Sequence, residues 1–591
     1  MSIPDSSDSS TPSDRQRTGA QIICESLRRE SVRVVFGIPG GAIMPLYHAL
    51  WEYRDALRHV LCRHEQGAGH AAEGWARATG SVGVCLATSG PGATNLVTPI
   101  ANAWMDSTPL VAITGQVSSA LLGTDAFQEI DITGITVPIT KHNYLVTSAV
   151  DLPRVLREAF HVARSGRPGP VLVDITKDAQ LERITPEWAA PILRPGSSVS
   201  SSPAQDAIQR IAEILTTAER PLMLVGNGII ESGASNALRV FAEHSGIPVV
   251  ATLLGLGVMP EHHPLWLGMP GMHGWVHVNR AIQRCDVLLN IGSRFDDRVT
   301  GKVASFAPRA RIIHIDIDAA EISKLVPVEV GVVADAGAAL HALTGALPNE
   351  DPNRFQTWRD EIAALRDQHR PRQTYVRVDS KSPLAPHDIF DGFNDAFENR
   401  SDWRVVTDVG QHQMWAAQLI HWQRPRAHLT SGGAGTMGFA LPAAIGAAIA
   451  NPHETIWVVC GDGGFQMTSG ELATIRQERL TNLKVAIVNN GYLGMVRQWQ
   501  ELFEGRRYSG TPLTGPNFEL LAEAHGHRGF TVRERANVRG AIQAAWSHEG
   551  CAVIDFHVER EANVFPIVPT GNAIGDMISE SAARPSPHMV S

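Results

Sequence analysis

Short runs of apolar, often β-branched residues recur along this chain, each closed by glycine or a polar pair and followed by a segment of helical periodicity. The runs at 32–36, 82–88 and 110–114 end in Gly37-Ile38-Pro39-Gly40-Gly41, Ser89-Gly90-Pro91-Gly92 and Gly115-Gln116, and a fourth covers 171–175. Residues without polar alternation predict strands buried on both faces, and helices between them predict an open parallel sheet. A second block repeats the theme at 222–225 before Gly226-Asn227-Gly228, then at 248–251, 287–291 before Gly292, and 311–315 before Asp316. A third has 403–406 before Asp408-Val409-Gly410, 455–460 before Gly461-Asp462-Gly463-Gly464, and 485–488 before Asn489-Asn490. The expectation is an α/β protein of three doubly wound open parallel-sheet domains at 17–190, 207–345 and 386–565. The Ser/Pro-rich stretch 193–206 reads as a linker, and the polar, helical stretch 346–385 as a second one. The Ser/Asp-rich residues 1–16 read as a disordered tail, and 566–591 as a mobile polar tail. Glycine-rich turns entering helices, SGPGATN at 89–95 and SGGAGTMGFALPAA at 431–444, hint that the outer blocks are duplicates.

Composition narrows the classes. Hydrophobic residues make up 43% and charged residues 19% of 591, ordinary for a globular protein. A net charge of -9 argues against nonspecific nucleic-acid binding. No apolar run approaches the ~18 residues of a membrane span. Cys24, Cys62, Cys85, Cys285, Cys460 and Cys551 are scattered with no CxxC pair, which reads as free thiols in a reducing compartment. With no apolar leader, the expected location is cytoplasmic.

The stretch GDGGFQMTSGELATIRQERLTNLKVAIVNN, 461–490, is strand end, glycine turn, helix and strand. Such crossover units place ligands at the carboxyl ends of their strands. Asp462 and Asn490 stand at two such ends. A carboxylate and an amide oxygen are hard donors suited to Mg²⁺, which takes few protein ligands and shares phosphate oxygens. Glycines let backbone approach a phosphate. Each piece alone is an ordinary turn. Together they resemble the thiamine diphosphate (ThDP) signature.

Longer motifs carry a more specific resemblance over about residues 17–570: VFGIPGG, RHEQGAGHAAEG, ATSGPGATN, DAFQE, GRPGPVLVDITKD, LGMPGMHG, GSRFDDRVTGK, HIDIDAAEI, GQHQMWAAQ, GTMGFALPAAIGA, GDGGFQM and LGMVRQWQ. By these the chain resembles the catalytic large subunits of acetohydroxyacid synthase, also called acetolactate synthase. The resemblance implies the ThDP-binding fold twice, flanking a Rossmann-like FAD domain. It implies that Glu65 hydrogen-bonds N1′ of the aminopyrimidine and so promotes loss of the thiazolium C2 proton. It assigns Asp462, Asn490 and the Tyr492 carbonyl to Mg²⁺. Gly410, Gln411, His412, Gly435, Thr436, Met437, Gly463 and Gly464 would line the ThDP site, with Met437 as a flexible prop. For FAD it implies Arg167, Asn227, Gly228, Thr252, Leu253, Pro270, Gly271, Met272 and His273. The same list continues with Gly292, Ser293, Arg294, Phe295, Asp296, Asp316, Ile317, Ala334 and Asp335. Amides at glycine turns suit a pyrophosphate, and Asp316 at a strand end suits a ribose hydroxyl.

Arg298, Met495, Val496 and Trp499 would choose the substrate, with Gln128 and Lys177 near the mouth. An arginine fork suits a keto-acid carboxylate. The implied reaction is decarboxylation of pyruvate and carboligation to a second 2-keto acid, pyruvate or 2-ketobutyrate, on the route to valine, leucine and isoleucine. A homodimer or homotetramer and a separate small regulatory subunit are implied too. Two alternatives stand beside it: an FAD- and ThDP-dependent pyruvate oxidase, and a silent binding protein of the same fold. Intact Glu65, Asp462 and Asn490 argue against the second.

Overall fold

The apolar runs form the centres of three six-stranded sheets in a computed structural model that describes residues 16–188, 202–348, 351, 353–369 and 384–579. The first sheet holds β1 (Val34–Gly37), β2 (Arg58–Leu61), β3 (Gly83–Ala87), β4 (Leu110–Gln116), β5 (His142–Val146) and β6 (Pro170–Thr176). The second holds β7 (Pro221–Val225), β8 (Val249–Ala251), β9 (Trp266–Gly268), β10 (Val287–Ile291), β11 (Arg311–Asp316) and β12 (Val330–Val333). The third holds β13 (Trp403–Thr407), β14 (His428–Thr430), β15 (Thr455–Gly461), β16 (Leu483–Asn489), β17 (Arg528–Val532) and β18 (Ala552–His557). Every pairing within these sheets is parallel.

The outer sheets share one topology: β2-β1-β3-β4-β6-β5 in the first and β14-β13-β15-β16-β18-β17 in the third. The hint of duplication in the two glycine-rich turns thus has a counterpart in strand order. The middle sheet runs β9-β8-β7-β10-β11-β12, the dinucleotide-binding order.

Seven helices matter for the site: α1 (Glu65–Thr79), α2 (Val97–Met105), α3 (Gln356–His369), α4 (Gln411–Leu419), α5 (Ala440–Ala450), α6 (Asp462–Thr468) and α7 (Gly494–Phe503). α1 opens on its His64 cap, whose ring accepts from Gln66 N, and closes on Gly80 at φ 75. α1 and α5 join the first domain to the third through small residues. A Cβ on Gly74 would lie 1.9 Å from Ala443 O, and one on Gly446 1.8 Å from Ala71 O. Bare backbone on both sides is what lets these helices touch.

The third sheet bridges two cores by simple alternation. Ile456, Val458 and Cys460 of β15 join a buried cluster with Val34, Phe36 and Ala68 of the first domain. Trp457 and Val459 face the other way, into a cluster with Leu222, Val225 and Leu288 of the middle domain. Strands with two buried faces read as unbroken apolar runs for this reason.

Three expectations need correction. The stretch 346–385 is more than a connector. Its helix α3 buries Trp358 and Ile362 and sends Trp358 Nε1 to Pro221 O at 3.1 Å, so it is part of the middle domain's packing. A helix, Gln205–Thr217, begins inside the predicted 193–206 linker, most of which lies outside the described residues. The tail expected from 566 is packed as far as 579. Ile567, Val568 and Ile574 are buried, Val568 N donates to Met272 O at 2.9 Å, and Lys302 N donates to Asn572 O at 2.9 Å. Backbone hydrogen bonds, which composition does not report, hold this polar stretch. Residues 1–15 and 580–591 of the predicted tails lie outside the described residues.

Candidate active site

Open α/β sheets bind ligands where strand order reverses. In the third sheet that point lies between β13 and β15, so Asp408-Val409-Gly410 and the turn at 461–464 emerge side by side. They enclose a small cavity of about 60 Å³, lined also by Gln411, His412, Met437, Asn490, Tyr492, Leu493 and Gly494. In the middle sheet the reversal lies between β7 and β10. There the glycine turns press together, a Cβ on Gly228 meeting Gly292 Cα at 2.7 Å. They open into a larger cavity of about 910 Å³. The two cavities share Val409, Gly410, Met437, Met495 and Val496 as walls.

Asp462 begins α6 and is buried. Burial pushes its carboxyl up to about 6, partly offset by backbone amides that include those of Asn490 and Gly491. Asn490 donates from Nδ2 to Gln411 Oε1 at 3.1 Å and accepts at Oδ1 from Tyr492 N at 3.0 Å. Among the described residues no cluster of three His, Cys, Asp or Glu side chains is placed to hold a metal. What the cavity offers is one carboxylate, one amide oxygen and main-chain carbonyls, a hard donor set that suits a cation shared with phosphate. His412 is buried with Nε2 unpartnered, and burial pushes its pKa down to about 3. Beside it are Gly410 and Gly461, whose added Cβ atoms would stand 3.0 and 3.1 Å from the ring. An orphaned ring nitrogen among bare glycines fits a bound diphosphate.

The larger cavity gathers Arg167 from the first domain with most of the residues implied for FAD. Asn227, Gly228, Thr252, Leu253, Pro270, Met272, His273, Gly292, Ser293, Arg294, Asp296, Asp316, Ile317, Ala334 and Asp335 all line it. Two do not. Phe295 turns into the core at 2% exposure, edge-on to Phe306 and His314. Gly271 is enclosed by Asn279, which bonds its N–H and C=O at 2.8 Å each, and by Arg298 O, 2.2 Å from an added Cβ. The volume, the paired glycine turns and Asp316, raised by burial to about 6, fit a dinucleotide. Arg298, Gly435, Met437, Met495, Val496 and Trp499 share the same space. Arg298 is largely exposed, with Asp297 Oδ2 3.8 Å from its Nε and Met272 Sδ 3.5 Å from Nη1.

Four more predicted residues line neither cavity. Glu65, at the start of α1, accepts from Asn95 Nδ2 at 3.0 Å. Gln128 backs the turn at Gly90, where an added Cβ would meet its own Cβ at 2.8 Å. Lys177 follows β6. All three belong to the first domain. Thr436 bonds through Oγ1 to Asn102 Oδ1 at 3.1 Å.

Asn102, Asp106 and Asp408 escaped the sequence reading. Asn102 also accepts from Ser431 Oγ at 2.5 Å. Asp106 accepts from Gly432 N at 2.9 Å, Gly433 N at 2.6 Å and Arg77 Nη2 at 2.7 Å. Asp408 accepts from Val409 N and Gly438 N, both at 2.8 Å, and burial pushes it up to about 7. Together they pin the loop that carries Met437. Asp408 stood at a strand end, a visible signal. For Asn102 and Asp106 the partners lie far along the chain, so no local pattern marks them.

Comparison with known proteins matches residues 17–135, 208–343 and 408–556 to the N-terminal TPP binding, central and C-terminal TPP binding domains of thiamine pyrophosphate enzymes. Over 577 residues the chain is 48% identical to an acetolactate synthase of Mycobacterium bovis, covering 97% of this chain and 93% of that one. It is 46% identical to the acetolactate synthase isozyme 2 large subunit of Escherichia coli over 564 residues, 95% and 99% of the two chains. It is 44% identical to the chloroplastic acetolactate synthase 1 of Nicotiana tabacum over 586 residues, 97% and 86% of the two chains.

Proposed function

The chain belongs to the acetolactate synthase family of thiamine pyrophosphate enzymes, and from that premise we propose that it joins two 2-keto acids with loss of CO₂. Two pyruvates and one proton give 2-acetolactate and CO₂. Pyruvate with 2-ketobutyrate gives 2-aceto-2-hydroxybutyrate. ThDP, when bound, supplies a thiazolium carbon that accepts the keto carbon and stabilises the charge left by decarboxylation. The observation that carries this reading is the joining of the two cavities at Met437, Met495 and Val496. A diphosphate site with a hard-cation donor pair there opens onto a wall bearing Arg298 and Trp499.

In this reading Asp462, Asn490 and the Tyr492 carbonyl hold Mg²⁺, and His412 with Gln411 and the 461–464 turn receives the diphosphate. Gly410, Gly435, Thr436 and Met437 shape the cleft. Glu65 carries the proton at the cofactor's N1′; Asn95 occupies its Oε2, which leaves Oε1 for that bond. Arg298 holds the carboxylate common to both acceptors, and Met495, Val496 and Trp499 contact the acceptor's alkyl end, with Gln128 and Lys177 at the mouth. FAD occupies the larger cavity and serves structure, since carboligation moves no net electrons.

Glu65 lies outside the cleft formed by its own chain. The proposal therefore includes a homodimer or homotetramer, with the first domain of one chain completing the cleft of another. Two exposed apolar side chains support it: Phe127, 88% exposed beside Gln128, and Met467, 58% exposed on α6. The large-subunit designation of the Escherichia coli relative supports a separate small regulatory partner. Among the described residues no helix is long and apolar enough to cross a membrane.

The test is purified protein with pyruvate, ThDP, Mg²⁺ and FAD, assayed for acetolactate. Pyruvate consumption with oxygen uptake and no acetolactate would overturn the proposal in favour of an oxidase. Full activity at dilutions where sedimentation finds only monomer would overturn the shared cleft.

A further inference from the structure

Helix α7 turns Met495, Val496 and Trp499 to the larger cavity and buries Gln498 completely on its inner side. Gln498 has no part in the reading above. Its amide meets the backbone of Val564 twice: Nε2 donates to Val564 O at 2.9 Å, and Oε1 accepts from Val564 N at 2.8 Å. This pairing has one polarity. A flipped amide would set donor against donor and acceptor against acceptor in a water-free site. The same Oε1 accepts from Gln411 Nε2 at 2.8 Å, and Gln411 Nε2 also donates to Ala562 O at 2.8 Å. Gln411 therefore presents only Oε1 to Asn490, and Asn490 Nδ2 donates to it at 3.1 Å. With Nδ2 committed, the side-chain atom of Asn490 left for a cation is the oxygen, which keeps a lone pair beyond the bond it accepts from Tyr492 N.

We propose that Gln498 is a positioning residue for the cation site, passing the polarity of the Val564 backbone through Gln411 to Asn490 and so fixing which atom of Asn490 a metal meets. The inference rests on the assignment of Asp462 and Asn490 to Mg²⁺. It also ties metal binding to the seating of α7, so the acceptor wall and the cation site share one buried amide chain.

The experiment is Mn²⁺ titration of the full chain with saturating ThDP, following the free-ion EPR signal. Gln498→Met keeps the length of the side chain and removes the relay. Its Mn²⁺ dissociation constant is expected to rise about 10–100-fold, as for other outer partners of metal ligands. Gln498→Leu likewise removes the acceptor for Gln411 Nε2. It is expected to weaken Mn²⁺ in the same direction, and serves should Gln498→Met not fold. Phe241→Leu, in the buried core of the middle domain, is the control for lost stability. Wild-type Mn²⁺ affinity in the folded Gln498 variants would overturn the proposal, as would an equal loss in Phe241→Leu. Asp462→Asn separates the premise: if it binds Mn²⁺ as tightly as wild type, the cation assignment itself falls.

Discussion

Gly446→Ala sets two known effects against each other at the contact between α1 and α5. Alanine is the better helix former by about 1 kcal/mol. The new Cβ, however, would stand 1.8 Å from Ala71 O and 2.7 Å from Trp75 N. Ordinary carbon–oxygen contacts begin near about 3.3 Å, so the helices must part by roughly 1.5 Å. The opposing atoms are helix backbone, with no rotamer to yield. Overpacking costs about 1–3 kcal/mol, and such a gap forfeits much of the dispersion energy along the seam. Taking the upper end and subtracting the propensity gain leaves a net loss of about 2 kcal/mol. At about 2–4 °C per kcal/mol, the melting temperature should fall by roughly 4–8 °C. Gly540→Ala, in the helix Val538–Ser547, is the matched control because nothing lies within 4 Å of its added Cβ. It should melt at or above wild type. ThDP binding should also weaken in Gly446→Ala, since α5 follows directly on the Met437 loop. If calorimetry finds Gly446→Ala as stable as Gly540→Ala, the packing argument is wrong.

Glu65→Gln should keep the fold and lose activity by about 10²-fold or more, because an amide cannot share the proton at N1′; near-native turnover with ThDP bound would refute that role. Trp499→Leu should shift the product ratio from aceto-hydroxybutyrate towards acetolactate, within the roughly 10–200-fold that one methylene allows. An unchanged ratio in a two-acceptor competition, with lower thermal stability, would make Trp499 a packing residue. Glu261 tests pH dependence: burial raises its carboxyl to about 7, opposed by the 2.9 Å bond from Trp266 Nε1. A raised folded-state pKa means the contribution is full below about 4.5 and is lost as pH rises through about 7. Glu261→Gln should therefore match wild type near pH 5 and melt higher at pH 8; a gain at pH 5 with none at pH 8 would reverse the assignment.

The strands at sheet centres were readable because both faces are buried, which leaves runs such as 455–460 without polar relief. The edges were not. β14 has three residues, and β5 carries His142, Asn143 and Tyr144 on a largely solvated edge. The carbonyl and amide ladders that seat residues 566–579 leave no composition signal either. For the site, Asp462 and Asn490 announced themselves by glycine turns at strand ends. Gln498 looked like one more polar residue on an amphipathic helix. Its meaning depends on Val564 and Gln411, which only the fold brings near.

The segment that runs back from the third domain also sets a schedule for the making of this protein. Pro566 O meets His273 Nδ1 at 3.1 Å, Val568 N bonds Met272 O, and Gln418 Nε2 reaches His273 O at 2.8 Å. Met272 and His273 leave the ribosome roughly 300 residues ahead of Pro566 and Val568, which at about 5–20 residues per second is roughly 15–60 s. For that interval the middle domain can fold around its own sheet, yet Met272 and His273 in the wall of the larger cavity lack the backing of residues 566–568. A dinucleotide captured early would meet a half-built pocket. A product cut short before residue 566 could carry Glu65, Asp462 and Asn490 intact and still lack a finished site.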